Sequence, residues 1–234
     1  MLPRVYAEWK TGKSPLIIRL AMAGFTLTLP KATCRAPTNG TMVFMCSFPK
    51  FKFSVISTGR GSNFEAIMQR IASGELNVEC ASLITFKNCK AAEVASKYKV
   101  PVRFIEGDNL LEILQSENPN LIVLSGYMRK IPENILERFE NKIINIHPAL
   151  LPSFGGKGCY GIHVHEKAIE AGVKITGVTV HFVNKEYDAG KIIAQVAVPV
   201  LPNDTPEILA ERVLKEEHNI YWQVIRDLAG NNKC

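Results

Sequence analysis

An asparagine and a histidine stand two residues apart at the end of an apolar run, and together they could do chemistry. The run is Ile143-Ile144-Asn145-Ile146-His147-Pro148. Successive side chains of a β-strand project to opposite faces, so Asn145 and His147 share one face. Pro148 favours an extended His147, and the loop that follows, residues 149–161, suits a pocket wall. This pattern predicts an active site, although a structural histidine beside a turn-initiating asparagine would look the same.

A glycine-rich turn, Gly59-Arg-Gly-Ser-Asn-Phe64, could hold a phosphate. It resembles the dinucleotide fingerprint G-x-G-x-x-G, but Phe64 takes the place of the third glycine and the next strand ends without an acid, so we expect no NAD site. The backbone N–H groups, the Ser62 and Asn63 side chains and the start of a helix would still suit a phosphate monoester. A tight turn with a Ser/Asn helix cap is the structural alternative.

Two further segments hold charged residues that could face a ligand. The predicted hairpin loop 184–191 contains Asp188, which could face His147 and favour the protonated imidazole, or could serve only as an Asp-x-Gly turn. Residues 126–131 follow a central strand, at the sheet edge where open α/β sheets bind ligands. Arg129 and Lys130 could meet an anion there, or could face solvent.

A regular alternation of strands and helices from residue 51 onward must position these residues. Apolar periodicity predicts five strands with helices between them and then, in the last third, a helix, a hairpin and a closing helix. Such alternation is typical of an α/β fold, here a doubly wound, mostly parallel, Rossmann-like sheet with a C-terminal antiparallel hairpin. The predicted strands are 51–58, 78–86, 102–105, 120–125, 143–146, 175–183 and 191–200, and the predicted helices are 63–73, 91–98, 109–115, 132–139, 163–170 and 205–228.

The net charge of +6 belongs to the N-terminal part of the chain. Residues 1–50 hold seven Lys or Arg and one acid, so the rest of the chain has 21 residues of each sign. A neutral body without a basic, aromatic-interleaved stripe gives no support to nucleic-acid binding. The apolar segment 16–29 is too short and too interrupted to anchor the chain in a membrane.

Residues 1–50 form a basic N-terminal extension that we interpret as a candidate transit peptide. The segment is poor in acid and broken by five prolines, as organelle leaders permit. A plastid or mitochondrial location follows if this interpretation is right, and a cytoplasmic one if the segment is only a disordered extension.

The six cysteines, at 34, 46, 80, 89, 159 and 234, show no C-x-x-C or zinc-like spacing. We therefore expect free thiols and no metal. Cys159 lies in a glycine-rich loop, but no nucleophile signature surrounds it. His163 and His165 form an H-x-H pair, which diverges on a helix and does not suit a shared metal.

Five separated motifs in order give the chain a resemblance to a known family. They are G-x-G-S-N, G-Y-M-R, N-I-H-P-A-L-L-P, T-V-H-F-V followed by D-A-G, and E-E-H-N-I-Y. Over about residues 51–229 the chain is similar to the phosphoribosylglycinamide formyltransferases of the folate-dependent formyltransferase superfamily. The glycine-rich segment 155–161 resembles the plant-type form, and its conformation is left open.

The resemblance implies that residues 51–234 are a catalytic domain that transfers the formyl group of 10-formyltetrahydrofolate to the amine of glycinamide ribonucleotide, in de novo purine biosynthesis. The implied partners are these small molecules, with no metal, nucleic acid or membrane, in a monomer or homodimer. The implied site consists of catalytic Asn145, His147 and Asp188; phosphate-binding Gly61, Ser62 and Asn63; Glu217 on the amine side of the substrate; and folate-binding Met128, Arg129, Lys130 and Ile131.

The implied chemistry assigns a role to each catalytic residue. Asn145 and a protonated His147 would stabilise the oxyanion of the tetrahedral intermediate. Asp188 would raise the pKa of His147 enough to keep the imidazole charged, and His147 or a water held by Asp188 would move the proton. Glu217 could instead lie on a solvated helix face.

Three other functions share part of this pattern. Formyltetrahydrofolate deformylases have a similar Asn/His/Asp set but should lack the phosphate-binding turn. Methionyl-tRNA formyltransferases carry an additional C-terminal RNA-binding domain, for which we expect no room here. A catalytically inactive phosphate- or nucleotide-binding module could keep the same sheet, although intact Asn145, His147 and Asp188 argue against it.

Overall fold

The structure is a computed structural model that describes residues 50–231 and two short segments before them. Those segments, β1 (Ile17–Arg19) and β2 (Thr26–Thr28), pair antiparallel, with Ile17 opposite Thr28. The other residues of 1–49, which make up most of the predicted transit peptide, lie outside the described residues. Within the described part of the chain, no helix has the length and apolarity to cross a bilayer.

Residues 50–231 alternate between strands and helices as the periodicity predicts, and each predicted element is present with ends shifted by at most a few residues. The alternating part comprises β3 (Lys52–Ser57), α1 (Ser62–Ala72), β4 (Glu79–Thr85), α2 (Lys90–Lys97), β5 (Val102–Phe104), α3 (Leu110–Glu117), β6 (Leu121–Ser125), α4 (Glu133–Arg138) and β7 (Ile143–His147). It is followed by α5 (Ile162–Glu170), β8 (Ile175–Phe182), β9 (Ile192–Pro199) and α6 (Pro206–Asn231).

The strands from β3 to β9 form one seven-stranded sheet in the order β5-β4-β3-β6-β7-β8-β9. The pairs from β5 to β7 are parallel, and β8 and β9 add an antiparallel end. The predicted fold class is therefore confirmed. The strand order reverses between β3 and β6, and open α/β sheets bind ligands at such a point.

Alternation along each strand sends apolar side chains to two cores, one on each face of the sheet. Ile144 and Ile146 belong to the larger core, which includes buried residues of α1, α2, α5 and α6. Ile143 belongs to the second core, beneath α3 and α4. Asn145 and His147 therefore project on the side of α3 and α4, as the alternation predicts.

The long helix α6 is fixed to the middle of the sheet by a buried tyrosine. The Tyr221 hydroxyl donates to the carbonyl of Leu124 at 2.6 Å and lies 3.3 Å from that of Ile144. These carbonyls belong to β6 and β7. The hydroxyl therefore ties α6 to the two central strands and satisfies its own buried polar group.

The turn between β3 and α1 needs a glycine at residue 61. Gly61 has φ +76°, in the left-handed region that favours glycine. A Cβ on it would also lie 2.7 Å from Ala91 Cα, a backbone atom of α2. A side chain at residue 61 would therefore strain the backbone and push α2 away.

Replacing Gly61 by alanine is expected to lower the free energy of unfolding by about 1–3 kcal/mol, the usual range for backbone strain of this kind. Gly59→Ala is the matched control, because a Cβ at Gly59 has no neighbour within 4 Å. Urea denaturation of both variants measures the effect. Equal unfolding midpoints for the two would show that contact with α2 does not constrain the turn.

Candidate active site

His147 lies at the end of β7 with a fixed ring orientation. Its side chain is only 4% exposed, and its Nε2 lies 2.9 Å from the carbonyl oxygen of Phe154. Since a carbonyl only accepts, Nε2 carries the proton of a neutral ring. The Nδ1 atom therefore keeps its lone pair and lies 3.6 Å from Asp188 Oδ2.

Asp188 comes from the loop between β8 and β9 and meets His147, so the structure brings together two predicted site residues. Asp188 has a positive φ of 52°, as a tight loop requires. The backbone N–H of Gly156 donates to its Oδ2 at 2.9 Å. The carboxylate therefore joins the hairpin loop, the glycine-rich loop and the end of β7.

His181 also belongs to this site, and the sequence analysis did not select it. It lies opposite Asn145 in the antiparallel pair β7–β8. Its Nδ1 lies 2.8 Å from the Phe182 carbonyl, so Nε2 of the neutral ring can accept from the Asn145 amide nitrogen at 3.3 Å. Asp188 Oδ1 lies 3.7 Å from the same Nε2. The signal in the sequence was a histidine, His181, within the strand 175–183 of the predicted hairpin, although its pairing with Asn145 depends on the register.

Burial determines the charge of the central histidine. It lowers the pKa of His147, and the Asp188 carboxylate and the Phe154 carbonyl offset only part of that effect. The expectation that Asp188 raises this pKa enough to keep the ring charged is therefore wrong for the free protein. Burial raises the pKa of Asp188, but the contact with His181, the His147 charge and the Gly156 N–H outweigh it, so the net shift is downward.

The predicted phosphate cradle lies at the start of α1. Gly61 and Asn63 are buried and Ser62 is half-buried, and the first N–H groups of a helix have no partner within it. The Asn63 amide donates to Glu217 Oε2 at 2.6 Å. The structure thus joins the cradle to another predicted site residue.

Glu217 is 9% exposed, so it does not lie on a solvated helix face. Burial raises its pKa, and the hydrogen bond from Asn63 offsets part of that shift. Asn63 Oδ1 is buried and has no partner in the described chain. The site therefore contains a desolvated acid and an open acceptor beside the cradle.

The predicted folate segment forms one wall of a cleft. Arg129, Lys130 and Ile131 lie in this wall, whereas Met128 is 49% exposed and lies outside the lining. The cleft is open to solvent. Its lining residues are Leu124, Tyr127, Arg129, Lys130, Ile131, Asn145, His181, Val183, Asn184, Lys185, Glu186, Tyr187 and Asp188.

The cleft contains part of the predicted catalytic set. Asn145 and Asp188 line its inner end together with His181, while His147 lies behind Asp188, outside the lining. The cleft can therefore offer an amide donor and a carboxylate to a ligand directly. His147 is linked to this lining through Asp188, whose Oδ2 lies 3.6 Å from its Nδ1.

The other residues considered in the sequence lie apart from this chemistry. The Cys159 thiol is free and lies 3.2 Å from Lys167 Nζ. His163 is exposed and lies 2.7 Å from a Glu166 oxygen, whereas His165 is buried. No group of three or more potential metal-ligating side chains occurs among the described residues.

Comparison with known proteins places this geometry in a family. Residues 51–225 match the family described as formyl transferase. The chain is 42% identical over 186 residues to the chloroplastic phosphoribosylglycinamide formyltransferase of Arabidopsis thaliana, covering 74% of this chain and 64% of that one. It is 38% identical over 192 residues to the phosphoribosylglycinamide formyltransferase of Bacillus subtilis, covering 77% and 96%.

Solved structures agree with the match in sequence. Glycinamide ribonucleotide transformylase 1 from Symbiobacterium toebii superposes with a TM-score of 0.73 at 35% identity, covering 83% of this chain and 94% of that one. A formyltetrahydrofolate deformylase from Pseudomonas syringae has a TM-score of 0.72 at 23% identity, covering 79% and 63%. The second likeness concerns the fold alone.

The lowered pKa predicts that His147 is neutral at pH 7 and titrates below its ordinary value of 6.5. Asp188→Asn is expected to lower this pKa further, because it removes the charge that favours the imidazolium. Titration of the imidazole signals by NMR measures both effects. A pKa above 6.5 in the native protein would contradict the dominance of burial.

The lowered pKa of His147 also makes the free energy of unfolding depend on pH. A folded-state pKa below the unfolded value means that the unfolded chain binds the proton more readily, so the His147 contribution destabilises the fold as pH falls below about 6.5. The lowered pKa of Asp188 acts in the same direction, since its contribution is lost as pH falls through the folded-state value.

Proposed function

The chain belongs to the formyl transferase family, and from that premise we propose that it transfers the formyl group of 10-formyltetrahydrofolate to the amine of glycinamide ribonucleotide, in de novo purine biosynthesis. One observation carries the proposal: Asn145 and Asp188 both line a cleft whose wall also contains the predicted folate residues Arg129, Lys130 and Ile131. The names of the similar Arabidopsis and Bacillus proteins support the same reaction.

The proposed reaction needs an oxyanion donor and a route for one proton. The substrate amine attacks the formyl carbon, the tetrahedral intermediate collapses, and the bond from that carbon to folate N10 breaks. The amine loses a proton and N10 gains one. The Asn145 amide can donate to the oxyanion, because only one of its two N–H groups is directed at His181.

His147 serves in this mechanism as a neutral base. A water beside Asp188 can carry the amine proton to the free Nδ1, since Nε2 already donates to the Phe154 carbonyl. The imidazolium formed is stabilised by the carboxylate 3.6 Å away. The same path in reverse returns the proton to N10. Asp188 therefore stabilises a charge that develops during the reaction, which is where an electrostatic contact contributes to rate.

The ribonucleotide would bind on the other side of the reacting atoms. Gly61, Ser62 and Asn63 would hold its phosphate, with the helix α1 directing its positive end at the charge. Glu217 would contact the substrate near its amine. The raised pKa of this buried acid suits a group that hydrogen-bonds to a neutral amine.

An absorbance assay with the purified full chain tests this function. Release of tetrahydrofolate from 10-formyltetrahydrofolate is expected only when glycinamide ribonucleotide is present. Release without the ribonucleotide would indicate a deformylase. If no tetrahydrofolate is released under either condition but the protein still binds glycinamide ribonucleotide, the chain would be an inactive phosphate- or nucleotide-binding module.

In the same assay His147→Ala is expected to lower kcat by about 10²–10⁴, the usual contribution of a general acid–base group. His163→Ala is the control, because His163 is exposed and its partners in the described part of the chain are Glu166 and the edge of the Tyr160 ring. If His147→Ala turned over at the native rate, His147 would not act as the base in this mechanism.

We also propose that the protein is located in plastids. The similar Arabidopsis protein is described as chloroplastic, and residues 1–50 carry seven basic residues and one acid. A fluorescent protein fused behind residues 1–50 is expected to enter the plastids of plant cells. Import into mitochondria, or retention in the cytosol, would contradict this location.

A further inference from the structure

A buried threonine and an exposed glutamine lie in one row across the sheet beside His147. In the antiparallel pairs β7–β8 and β8–β9, Thr179 lies opposite His147 and Gln195 lies opposite Thr179. Residues directly opposite each other project on the same face of a sheet. Thr179 is fully buried, whereas Gln195 is exposed on the edge strand β9. Neither residue lines the cleft, and the proposed mechanism uses neither.

The Thr179 hydroxyl makes all of its hydrogen bonds to the loop after β7 and to Gln195. It donates to the Ala149 carbonyl at 2.7 Å, and it accepts from the Leu151 N–H at 3.0 Å and from Gln195 Nε2 at 2.9 Å. A hydroxyl has one proton and two lone pairs. These three bonds therefore use it fully, and their effect is to hold the backbone of the loop.

Gln195 makes a second hydrogen bond to the same loop. Its Nε2 donates to the Leu151 carbonyl at 3.1 Å as well as to Thr179. Because a carbonyl only accepts, the nitrogen of the side-chain amide must face Leu151. A carboxylate or an apolar side chain could donate neither bond. Leu151 is therefore held at its N–H through Thr179 and at its carbonyl by Gln195 directly.

Packing transmits this restraint to the two backbone groups of the site. A Cβ on Gly155 would lie 2.5 Å from Leu151 Cδ2, so the buried Leu151 side chain packs directly on the Gly155 backbone. On one side of Gly155 is the Phe154 carbonyl, which accepts from the imidazole at the end of β7. On the other side is the Gly156 N–H, which donates to Asp188. A shift of Leu151 would therefore move both groups.

The position of the Phe154 carbonyl decides which nitrogen of His147 carries the proton. Two acceptors compete for it, since that carbonyl lies 2.9 Å from Nε2 and Asp188 Oδ2 lies 3.6 Å from Nδ1. The tautomer of a neutral histidine is set by the hydrogen bonds that its nitrogens make. If the carbonyl moved away, the proton would pass to Nδ1 beside the carboxylate. Nδ1 could then no longer accept a proton in the reaction.

We propose that Gln195, acting through Thr179 and Leu151, is a positioning residue that keeps the neutral His147 ring protonated at Nε2. The inference rests on the proposed function only for its effect on turnover, because the tautomer exists without substrate. An exposed side chain on the edge strand thus controls the proton of a buried one two strands away.

The tautomer is measured by heteronuclear NMR of nitrogen-labelled imidazole rings, well above the ordinary histidine pKa of about 6.5. The His147 signals are assigned from their absence in His147→Ala. The native protein is expected to show the Nε2–H form. Gln195→Leu and Thr179→Val remove hydrogen bonds to the loop and are expected to shift the proton to Nδ1 in a large part of the molecules. Thr179→Ser keeps the hydroxyl and is expected to retain the native tautomer.

Turnover in the absorbance assay is the second readout. Gln195→Leu and Thr179→Val are expected to lower kcat by about 10- to 100-fold, the usual effect of a slightly displaced reacting group. Both KM values should stay near the native ones, because neither residue lines the cleft. Thr179→Ser is expected to turn over at nearly the native rate. Gln115→Leu is the matched control, because it removes an exposed glutamine of α3 and should change neither tautomer nor kcat.

The two readouts separate this inference from the proposed reaction. A native tautomer in both Gln195→Leu and Thr179→Val would overturn the positioning role, whatever their turnover. A native protein that carries the proton on Nδ1 would overturn it as well. If the tautomer shifts in both variants but the native protein transfers no formyl group, the positioning role stands and the proposed function fails.

Discussion

The half-buried carboxylate of Asp188 is the group on which the rest of the site depends. A carboxylate removed from water is costly unless other groups hydrogen-bond to it or carry the opposite charge. Here the Gly156 N–H, His147 and His181 surround it. Each comes from a different segment, so satisfying one charge draws together the glycine-rich loop, β7 and β8. The orientation of Asn145 follows from this arrangement, because its amide is directed at His181.

The sheet separates the two halves of the proposed site. The turn that would hold a phosphate begins α1, and Glu217 belongs to α6; both helices pack on the larger core. The cleft opens on the face of the second core, which includes Ile131 and lies beneath α3 and α4. In the proposed reaction, each substrate therefore reaches the reacting atoms from its own side, and they meet where β6 and β7 end.

Most of the fold and part of the site follow from local sequence patterns. Strand and helix periodicity determined the element order, and alternation along β7 placed Asn145 and His147 on one face. His181 was missed because its position opposite Asn145 depends on the register between β7 and β8, which two short apolar strands do not specify by themselves. The charge of His147 was predicted wrongly because burial by the loop around Phe154 is a tertiary effect.

The loop after β7 acts on the site through its backbone. The carbonyl of Phe154 fixes the proton on His147, and the N–H of Gly156 holds Asp188. Neither contact depends on which side chains follow at Lys157, Cys159 or Tyr160. Substitutions at those positions therefore leave the two backbone contacts to His147 and Asp188 in place. An insertion or deletion would shift the peptide groups and break these contacts. Sequence drift in such a loop should accumulate as changes of residue type at constant length, and a change of length is the event that would require the site to be rebuilt.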